Sequence, residues 1–137
     1  MRRFLLDTGI AGHYIDRLRG VFEHARDEIA RGNRIGICLP VLAELVYGIE
    51  LSSSRERNLR SLRGALPALR IWPFDREAAF EYGRIAAELR RIGRPMQQID
   101  VMIAAIAFSI GNCTVVSDDT DLPAVPGLVV ENWADQS

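Results

Sequence analysis

Carboxylate side chains stand at four separated places along this chain, each close to a predicted start or end of secondary structure. They are Asp7 after the apolar residues 4–6, Glu44, Asp100, and the group Ser117-Asp118-Asp119-Thr120-Asp121. Carboxylates that lie close together repel one another unless a cation or water lies among them. Hard cations such as Mg²⁺ and Mn²⁺ prefer carboxylate oxygen and water as ligands. If these acids meet, the chemistry to expect is that of a divalent cation site.

Asp7 has the clearest position of the four. Three consecutive apolar residues before it are typical of a strand that is buried on both faces of a parallel sheet. In open α/β sheets, ligands bind outside the carboxyl ends of the strands. The acids 118, 119 and 121 follow a second strand candidate, so they and Asp7 should share one edge of the sheet. The alternative for residues 118–121 is an exposed turn held by Asp side chains.

Asp100 and Glu44 each allow two interpretations. Residues 101–108 are apolar on every side of a helix, which indicates burial, and a carboxylate there is costly unless it is paired or bound to a cation. The alternative is that Asp100 is the N-cap of this helix. Glu44 lies opposite the apolar stripe of its own helix, so it faces either solvent or a cleft.

Apolar periodicity predicts helices between the acidic positions. The first stripe is Ile15, Leu18, Phe22, Ala25 and Ile29, divided into two helices at Gly20. A third helix starts at Val41, and a fourth is capped by the serines 52–54 and carries Leu59, Leu62 and Leu66. Asp75 caps the fifth, whose stripe is Tyr82, Ile85, Ala86, Leu89 and Ile92, and Asp100 opens the sixth, which ends at Ile110.

Short apolar runs predict strands at residues 4–6, 35–39, 70–74, 114–116 and 128–130. Pro73 cannot donate a hydrogen bond within a sheet, so the run 70–74 is expected at an outer position. Strands that alternate with helices, without repeats or linkers, predict a single α/β domain over residues 1–137, layered around a parallel sheet.

Composition narrows the function classes. The chain has 137 residues, 48% hydrophobic and 26% charged, which is typical of a soluble globular protein. All 17 basic residues are arginine, and the net charge of −1 argues against general affinity for nucleic acid. Residues 52–70 carry net +4 and residues 84–94 net +3. These stretches either guide a polyanion toward the acids or are solvated helix faces.

The remaining reactive side chains show no site spacing. Cys38 and Cys113 lack any CxxC or Cys/His pattern and are interpreted as buried thiols in a reducing cytosol. His13 and His24 are expected on the surfaces of helices. No signal peptide and no membrane-spanning run is visible, so the protein is expected to be cytoplasmic with no membrane partner.

Four motifs in sequence order resemble those of the PIN-domain ribonucleases. They are Leu6-Asp7-Thr8, Glu44 with Gly48, Asp100 before residues 103–107, and Ser117-Asp118-Asp119. The ending, residues 126–133, is similar to that of the VapC-type toxins within this family. Two departures stand out. Gly9 replaces an Asn that often follows the first Asp-Thr, and three acids in the fourth motif leave open which one faces a metal.

The resemblance implies a PIN-like three-layer sandwich with a central parallel sheet of four to five strands. It implies a toxin that cleaves RNA with Mg²⁺, for which Mn²⁺ can substitute, using one or two ions. Asp7 and Asp100 are then the first candidates for ligands, with Glu44 and Asp119 completing the site. Accessory candidates are Thr8, Ser117, Asp118 and Asp121. The implied partners are RNA, a VapB-like antitoxin that folds an arm over the cleft, and a second copy of the chain.

Two other functions fit parts of the pattern. The acids could serve only as a docking site for an antitoxin or RNA, in a binding module with weak or no catalysis. A Mg²⁺-dependent phosphatase of a doubly wound α/β fold also places Asp after its first strand. The chain has no Asp-x-Asp there and no lysine to hold a phosphate, so the phosphatase ranks below the ribonuclease.

Overall fold

Five short strands form a single parallel sheet in the computed structural model, which describes residues 1–135. The strands are β1 (Arg3–Leu6), β2 (Arg34–Cys38), β3 (Arg70–Trp72), β4 (Cys113–Val116) and β5 (Val130–Glu131). Their order across the sheet is β3-β2-β1-β4-β5, and every neighbouring pair is parallel. The predicted outer position of β3 is therefore confirmed.

Six α-helices connect and cover these strands. They are α1 (Thr8–Asp16), α2 (Val21–Ala30), α3 (Leu39–Glu50), α4 (Arg55–Ala65), α5 (Arg76–Arg91) and α6 (Gln98–Ile110), with 3₁₀ turns at Leu66–Ala68 and Leu122–Ala124. The predicted α/β sandwich is confirmed. None of the helices within residues 1–135 has the length and apolar character needed to cross a bilayer. The single domain stays a prediction, because residues 136 and 137 lie outside the described part of the chain.

The β1 strand lies at the centre of the sheet and is completely buried at Phe4, Leu5 and Leu6. It pairs with β2 on one side and β4 on the other, with Leu6 beside Val116. The backbone N–H of Asp7 continues this ladder by donating to the carbonyl of Val116 at 3.0 Å. The chain segments after β1 and β4 therefore leave the sheet side by side.

The helix starts differ in part from the predictions. Asp75 caps α5 as predicted, since its Oδ1 accepts from the N–H of Ala78 at 3.0 Å. The N-cap interpretation of Asp100 is wrong, because α6 begins at Gln98 and Gln97 occupies the N-cap position. Asp100 is the third residue of the helix, where a negative charge still favours the helix dipole. Ser54 lies at the start of α4, but its hydroxyl makes no capping hydrogen bond.

Two residues of the first predicted stripe are not in the core. Leu18 lies between α1 and α2 and is half exposed, and Ile29 is exposed in the last turn of α2. Val21 is buried instead. The last strand is also displaced, since β5 begins at Val130 and Val129 is exposed.

The chain end closes over one face of the sheet through Trp133. Its indole lies 5.0 Å from the ring of Phe4 and stacks on His24 with centroids 4.1 Å apart. The indole N–H donates to Glu131 at 2.9 Å. Beyond it, the N–H of Asp135 donates to the carbonyl of Arg19 at 2.8 Å. His24, predicted as a surface residue, is thus half-buried under the C-terminal segment.

Candidate active site

The Asp7 carboxylate is buried at the carboxyl end of β1 and caps α1. Its Oδ1 accepts a hydrogen bond from the N–H of Ile10 at 2.9 Å. Burial raises the pKa of Asp7, and the charges of Asp118 and Asp119 raise it further. Hydrogen bonds from Ser117 and from Ile10 act in the opposite direction. Asp7 is therefore a desolvated carboxylate with other acids close by.

Glu44 is exposed on α3 and is tied to the segment that follows β1. Its Oε1 accepts a hydrogen bond from the hydroxyl of Thr8 at 2.6 Å. This bond joins the second acidic motif to the first, although helix periodicity alone places Glu44 on a solvent-facing surface. Thr8, an accessory candidate, acts here by holding a carboxylate.

Asp100 is buried in the first turn of α6 and lies among like charges. Burial is the main cause that raises the pKa of its carboxyl to about 6. The further causes are the negative charges of Asp119, Asp7, Asp121 and Glu44, in that order. The acids from all four motifs are thus close enough to influence one carboxyl group.

A tight loop after β4 presents the acids of the fourth motif. The N–H of Asp119 donates to the hydroxyl of Ser117 at 2.9 Å, and the N–H of Asp121 donates to Oδ1 of Asp119 at 2.8 Å. These are the side-chain-to-backbone bonds of the turn interpretation. The same bonds fix the loop in a conformation that turns Asp119 and Asp121 toward α6, so the turn and the acidic cluster coexist.

Three carboxylates form the tightest group at this edge of the sheet. One oxygen each from Asp100, Asp119 and Asp121 lie within 4.8 Å of one another. All three donors are hard oxygen ligands, the kind that Mg²⁺ and Mn²⁺ prefer. Asp121, ranked from the sequence as accessory, thus stands beside Asp119. Asp118 is exposed, and its charge acts on Asp7.

Arg94 lies beside this acidic group, although the sequence analysis did not name it as a candidate site residue. Its guanidinium forms an ion pair with Oδ1 of Asp121 at 3.4 Å, with both side chains about half exposed. Arg94 was counted only within the basic stretch 84–94 and as part of the end of α5. The available signal was a basic residue shortly before Asp100 in a stretch already noted for its positive charge.

Comparison with known proteins places this arrangement in a family. The PIN-domain family model matches residues 4–128. A relative from Salmonella typhimurium, "tRNA(fMet)-specific endonuclease VapC", is 35% identical over 134 residues, which are 97% of this chain and 99% of the relative. "Ribonuclease VapC2" from Rickettsia felis is 31% identical over 130 residues, 95% of this chain and 97% of the relative.

Solved structures agree with the sequence relatives. VapBC2 from Rickettsia felis, bound to a DNA fragment from its promoter, has a chain that superposes with a TM-score of 0.88 at 31% identity, covering 96% of this chain and 98% of that one. DNA-bound VapBC from Salmonella typhimurium gives a TM-score of 0.88 at 34% identity and covers 98% of this chain and 100% of that one. The chain therefore belongs to the PIN-domain family and, within it, to the VapC ribonucleases of toxin–antitoxin systems.

Proposed function

We propose that this chain is a Mg²⁺-dependent endoribonuclease that hydrolyses RNA phosphodiester bonds as the toxin of a toxin–antitoxin pair. The observation that carries the proposal is the grouping of Asp100, Asp119 and Asp121 within 4.8 Å. Asp7 and Glu44 belong to the same group of charges, since both act on the pKa of Asp100.

The side chains at this edge suit a hard divalent cation. Asp100, Asp119 and Asp121 would hold it, with Asp7 as a further ligand from the end of β1. A Mg²⁺ or Mn²⁺ ion supplies Lewis-acid stabilisation of the charge that develops on a phosphodiester. An ion would also offset the repulsion among these carboxylates.

The protein groups have separate tasks in this proposal. The N–H of Ile10 fixes the orientation of Asp7, and the hydroxyl of Thr8 fixes that of Glu44. Glu44, which is exposed and bonded to Thr8, would orient the attacking water. Arg94, which lies beside Asp121, would contact the negative phosphate backbone.

The proposed partners follow from the relatives and from the surface. RNA is the proposed substrate, and the arginines of residues 52–70 and 84–94 would hold its backbone. The VapBC complexes among the solved structures support a VapB-like antitoxin as partner. The exposed side chains of Tyr47 on α3 and of Leu51, directly after its end, support a homodimer. A cytoplasmic location completes the proposal.

The first test is RNA cleavage by the purified protein. Cleavage should proceed with Mn²⁺ or Mg²⁺ and stop in EDTA. Replacement of Asp7, Glu44 or Asp100 by Ala should lower the cleavage rate at least about a hundredfold, because a hard-cation site depends on its full set of anionic ligands. Circular dichroism of each variant controls for the fold.

The fourth motif supplies a matched control for this test. We expect Asp119→Ala and Asp121→Ala to be similarly damaging, whereas Asp118→Ala should have a mild effect because that carboxylate lies outside the group of three. Full activity in a folded Asp100→Ala protein would contradict the proposed site. Antitoxin binding without any metal-dependent cleavage would favour the binding module instead.

A further inference from the structure

Three arginine side chains meet at the amino edge of the sheet, at the opposite strand ends from the acidic group. Arg3 begins β1, Arg34 begins β2 and Arg70 begins β3. In the register of the sheet, Arg3 lies beside Arg34, and Gly36 lies beside Arg70. Residues two apart on a strand share a face, so all three arginines project from the same face of the sheet.

These arginines line a pocket of about 250 Å³ together with Met1 and Trp72. The Arg3 guanidinium donates to the carbonyl of Gly111 at 3.1 Å, and Nε of Arg34 lies 3.2 Å from the sulfur of Met1. Within residues 1–135, no carboxylate forms an ion pair with any of the three.

Like charges that are held this close together favour the binding of a negative ligand. Paired strands are about 4.8 Å apart, and like charges at neighbouring positions of paired strands repel. Two other arginines differ from these three because each forms an ion pair with a carboxylate. Arg2 pairs with Glu131, and Arg94 pairs with Asp121. The pocket is therefore a concentration of unneutralised positive charge on a chain whose net charge is −1.

We propose that this pocket binds a backbone phosphate of RNA away from the bond that is cut. A guanidinium presents paired N–H donors that match two phosphate oxygens, and arginine is the preferred residue for this geometry. Trp72 adds an aromatic ring beside the phosphate position, and aromatic rings stack on bases in proteins that bind single-stranded nucleic acid. The combination recognises a nucleotide unit independently of its sequence.

Gly36 makes room for this aromatic wall. A Cβ atom at position 36 would lie 2.7 Å from Cζ3 of Trp72 and 2.5 Å from the carbonyl oxygen of Arg70. Both distances are far below van der Waals contact. The absence of a side chain at Gly36 thus lets the Trp72 ring lie across β2 next to the arginines.

The position of the pocket favours RNA over a free anion, an argument that rests on the proposed ribonuclease function. Arg3 and Asp7 stand at the two ends of β1, about 13 Å apart along the strand. A few nucleotides span this distance. The β3 strand is a half-exposed edge of three residues, so an RNA strand has a route around it from one edge of the sheet to the other.

The test uses the whole protein in EDTA, where the proposed cleavage is off. The probe is a short single-stranded RNA of mixed sequence, and the readout is acrylamide quenching of tryptophan fluorescence. Trp133 is buried and Trp72 is partly exposed, so quenching reports mainly Trp72. We expect RNA to protect Trp72 in the wild-type protein, and the Trp72→Phe variant to lose this response.

Charge variants then locate the binding. Arg34→Gln with Arg70→Gln should weaken RNA binding about tenfold, the effect of losing two charge-assisted contacts at a solvent-exposed site. The slope of log affinity against log salt should fall by about 0.7 for each lost phosphate contact. Arg26→Gln with Arg76→Gln changes the net charge equally, away from the pocket and outside both basic stretches, and should leave affinity near that of wild type.

Several results would overturn this proposal. Equal loss of affinity in both double variants would indicate general electrostatic attraction. If inorganic phosphate protects Trp72 from quenching as strongly as RNA does, the pocket is a site for free anions. A large fall in the melting temperature of Arg34→Gln without RNA would indicate a structural role, because relief of repulsion should keep or raise it.

The outcome is separable from that of the ribonuclease proposal. If the protein cleaves RNA with metal but RNA does not protect Trp72, only the proposal of a phosphate-binding pocket is overturned. If RNA protects Trp72 but the protein does not cleave RNA in Mn²⁺, the phosphate-binding proposal stands and the proposed ribonuclease activity is overturned.

Discussion

The Asp7 carboxylate is both a helix cap and a buried negative charge, and these two roles have opposite effects on stability. The cap bond to the N–H of Ile10 stabilises the start of α1, whereas burial and neighbouring acids raise the pKa of the carboxyl. Asn caps helices about as well as Asp and is nearly isosteric with it. Replacement by Asn therefore removes the charge and keeps the cap.

We expect Asp7→Asn to stabilise the metal-free protein near neutral pH, because burial and the neighbouring acids raise the pKa of the replaced carboxyl and so make its charged form unfavourable. The melting temperature in EDTA should rise by a few degrees, the usual effect of a single stabilising substitution in a domain of this size. Mn²⁺ should stabilise the wild-type protein by mass action and the variant much less. Thermal melts with EDTA and with Mn²⁺ measure both effects. A destabilised variant, with neither protein responding to Mn²⁺, would contradict the acidic site.

Asp100 predicts a pH dependence of stability. Burial and neighbouring charges raise its pKa from 3.8 to about 6 in the folded protein. A raised carboxyl pKa means that the stabilising contribution of the protonated form is present at low pH and is lost as the pH rises through about 6. In EDTA, Asp100→Asn should therefore be more stable than wild type near neutral pH, and this advantage should shrink toward pH 4.

The full shift of about 2 units corresponds to about 3 kcal/mol, but several of the surrounding acids are exposed and their repulsion is screened by water. We expect a difference of about 1–2 kcal/mol between the two proteins at neutral pH. Urea unfolding of both proteins across this pH range provides the measurement. If the two proteins differ in unfolding free energy by the same amount at every pH, the stability difference does not come from titration of the carboxyl at position 100.

The sequence predicted some of these residues better than others. Asp7 and Asp119 follow from the rule that parallel strands end at one edge, because each comes directly after a strand. Glu44 could be chosen only through its motif, since the bond to Thr8 depends on how α3 packs. The position of Asp121 beside Asp100 and Asp119 could not be predicted, because its direction depends on the hydrogen bonds inside the loop.

At the level of the strands, Gly36 shows how sheet packing limits a single residue. The close approach of Trp72 and of the Arg70 carbonyl leaves no space for a methyl group. We expect Gly36→Ala to destabilise the protein by about 1–3 kcal/mol, the usual effect of overpacking. The control is Gly83→Ala in α5, where nothing lies within 4 Å of the added methyl group. Ala is the better helix former by about 1 kcal/mol, so this variant should be more stable than wild type. Denaturant unfolding of both variants tests whether the free energy of unfolding falls in Gly36→Ala and rises in Gly83→Ala.

The elements themselves were predicted where periodicity and end signals agreed, as in α5. For the stripe from Ile15 to Ile29, the predicted division into two helices at Gly20 is confirmed, but the core positions Leu18 and Ile29 are wrong because the apolar spacing fits one continuous phase. In the structure, Arg17, Arg19 and Gly20 have positive φ angles of 56°, 58° and 76°, so the chain turns sharply and α2 starts with a new phase. Val21 therefore replaces Leu18 in the core. Backbone reversals of this kind leave little trace in apolar spacing.

For the molecule as a whole, Trp133 joins the end of the chain to its beginning. The indole packs on Phe4 of the central strand and bonds to Glu131. Trp133→Ala should destabilise the protein by about 3–5 kcal/mol, as expected for loss of a buried aromatic side chain. Trp133→Phe keeps most of the packing and loses the hydrogen bond, so its effect should be nearer to 1 kcal/mol. Calorimetry of the two variants would separate packing from hydrogen bonding, and equal effects would contradict this account.

The strand order has a consequence for the order in which the chain can assemble as it is synthesised. β1 is the first of the five strands to be made, yet its neighbour β4 and the acids at positions 119 and 121 follow only after β2, β3 and the helices α1 to α6. A nascent chain that still lacks them holds neither the completed sheet nor the three grouped carboxylates. The acidic group proposed as the nuclease site can therefore form only after residue 121 has been synthesised, and a shorter nascent chain would have no cleavage activity.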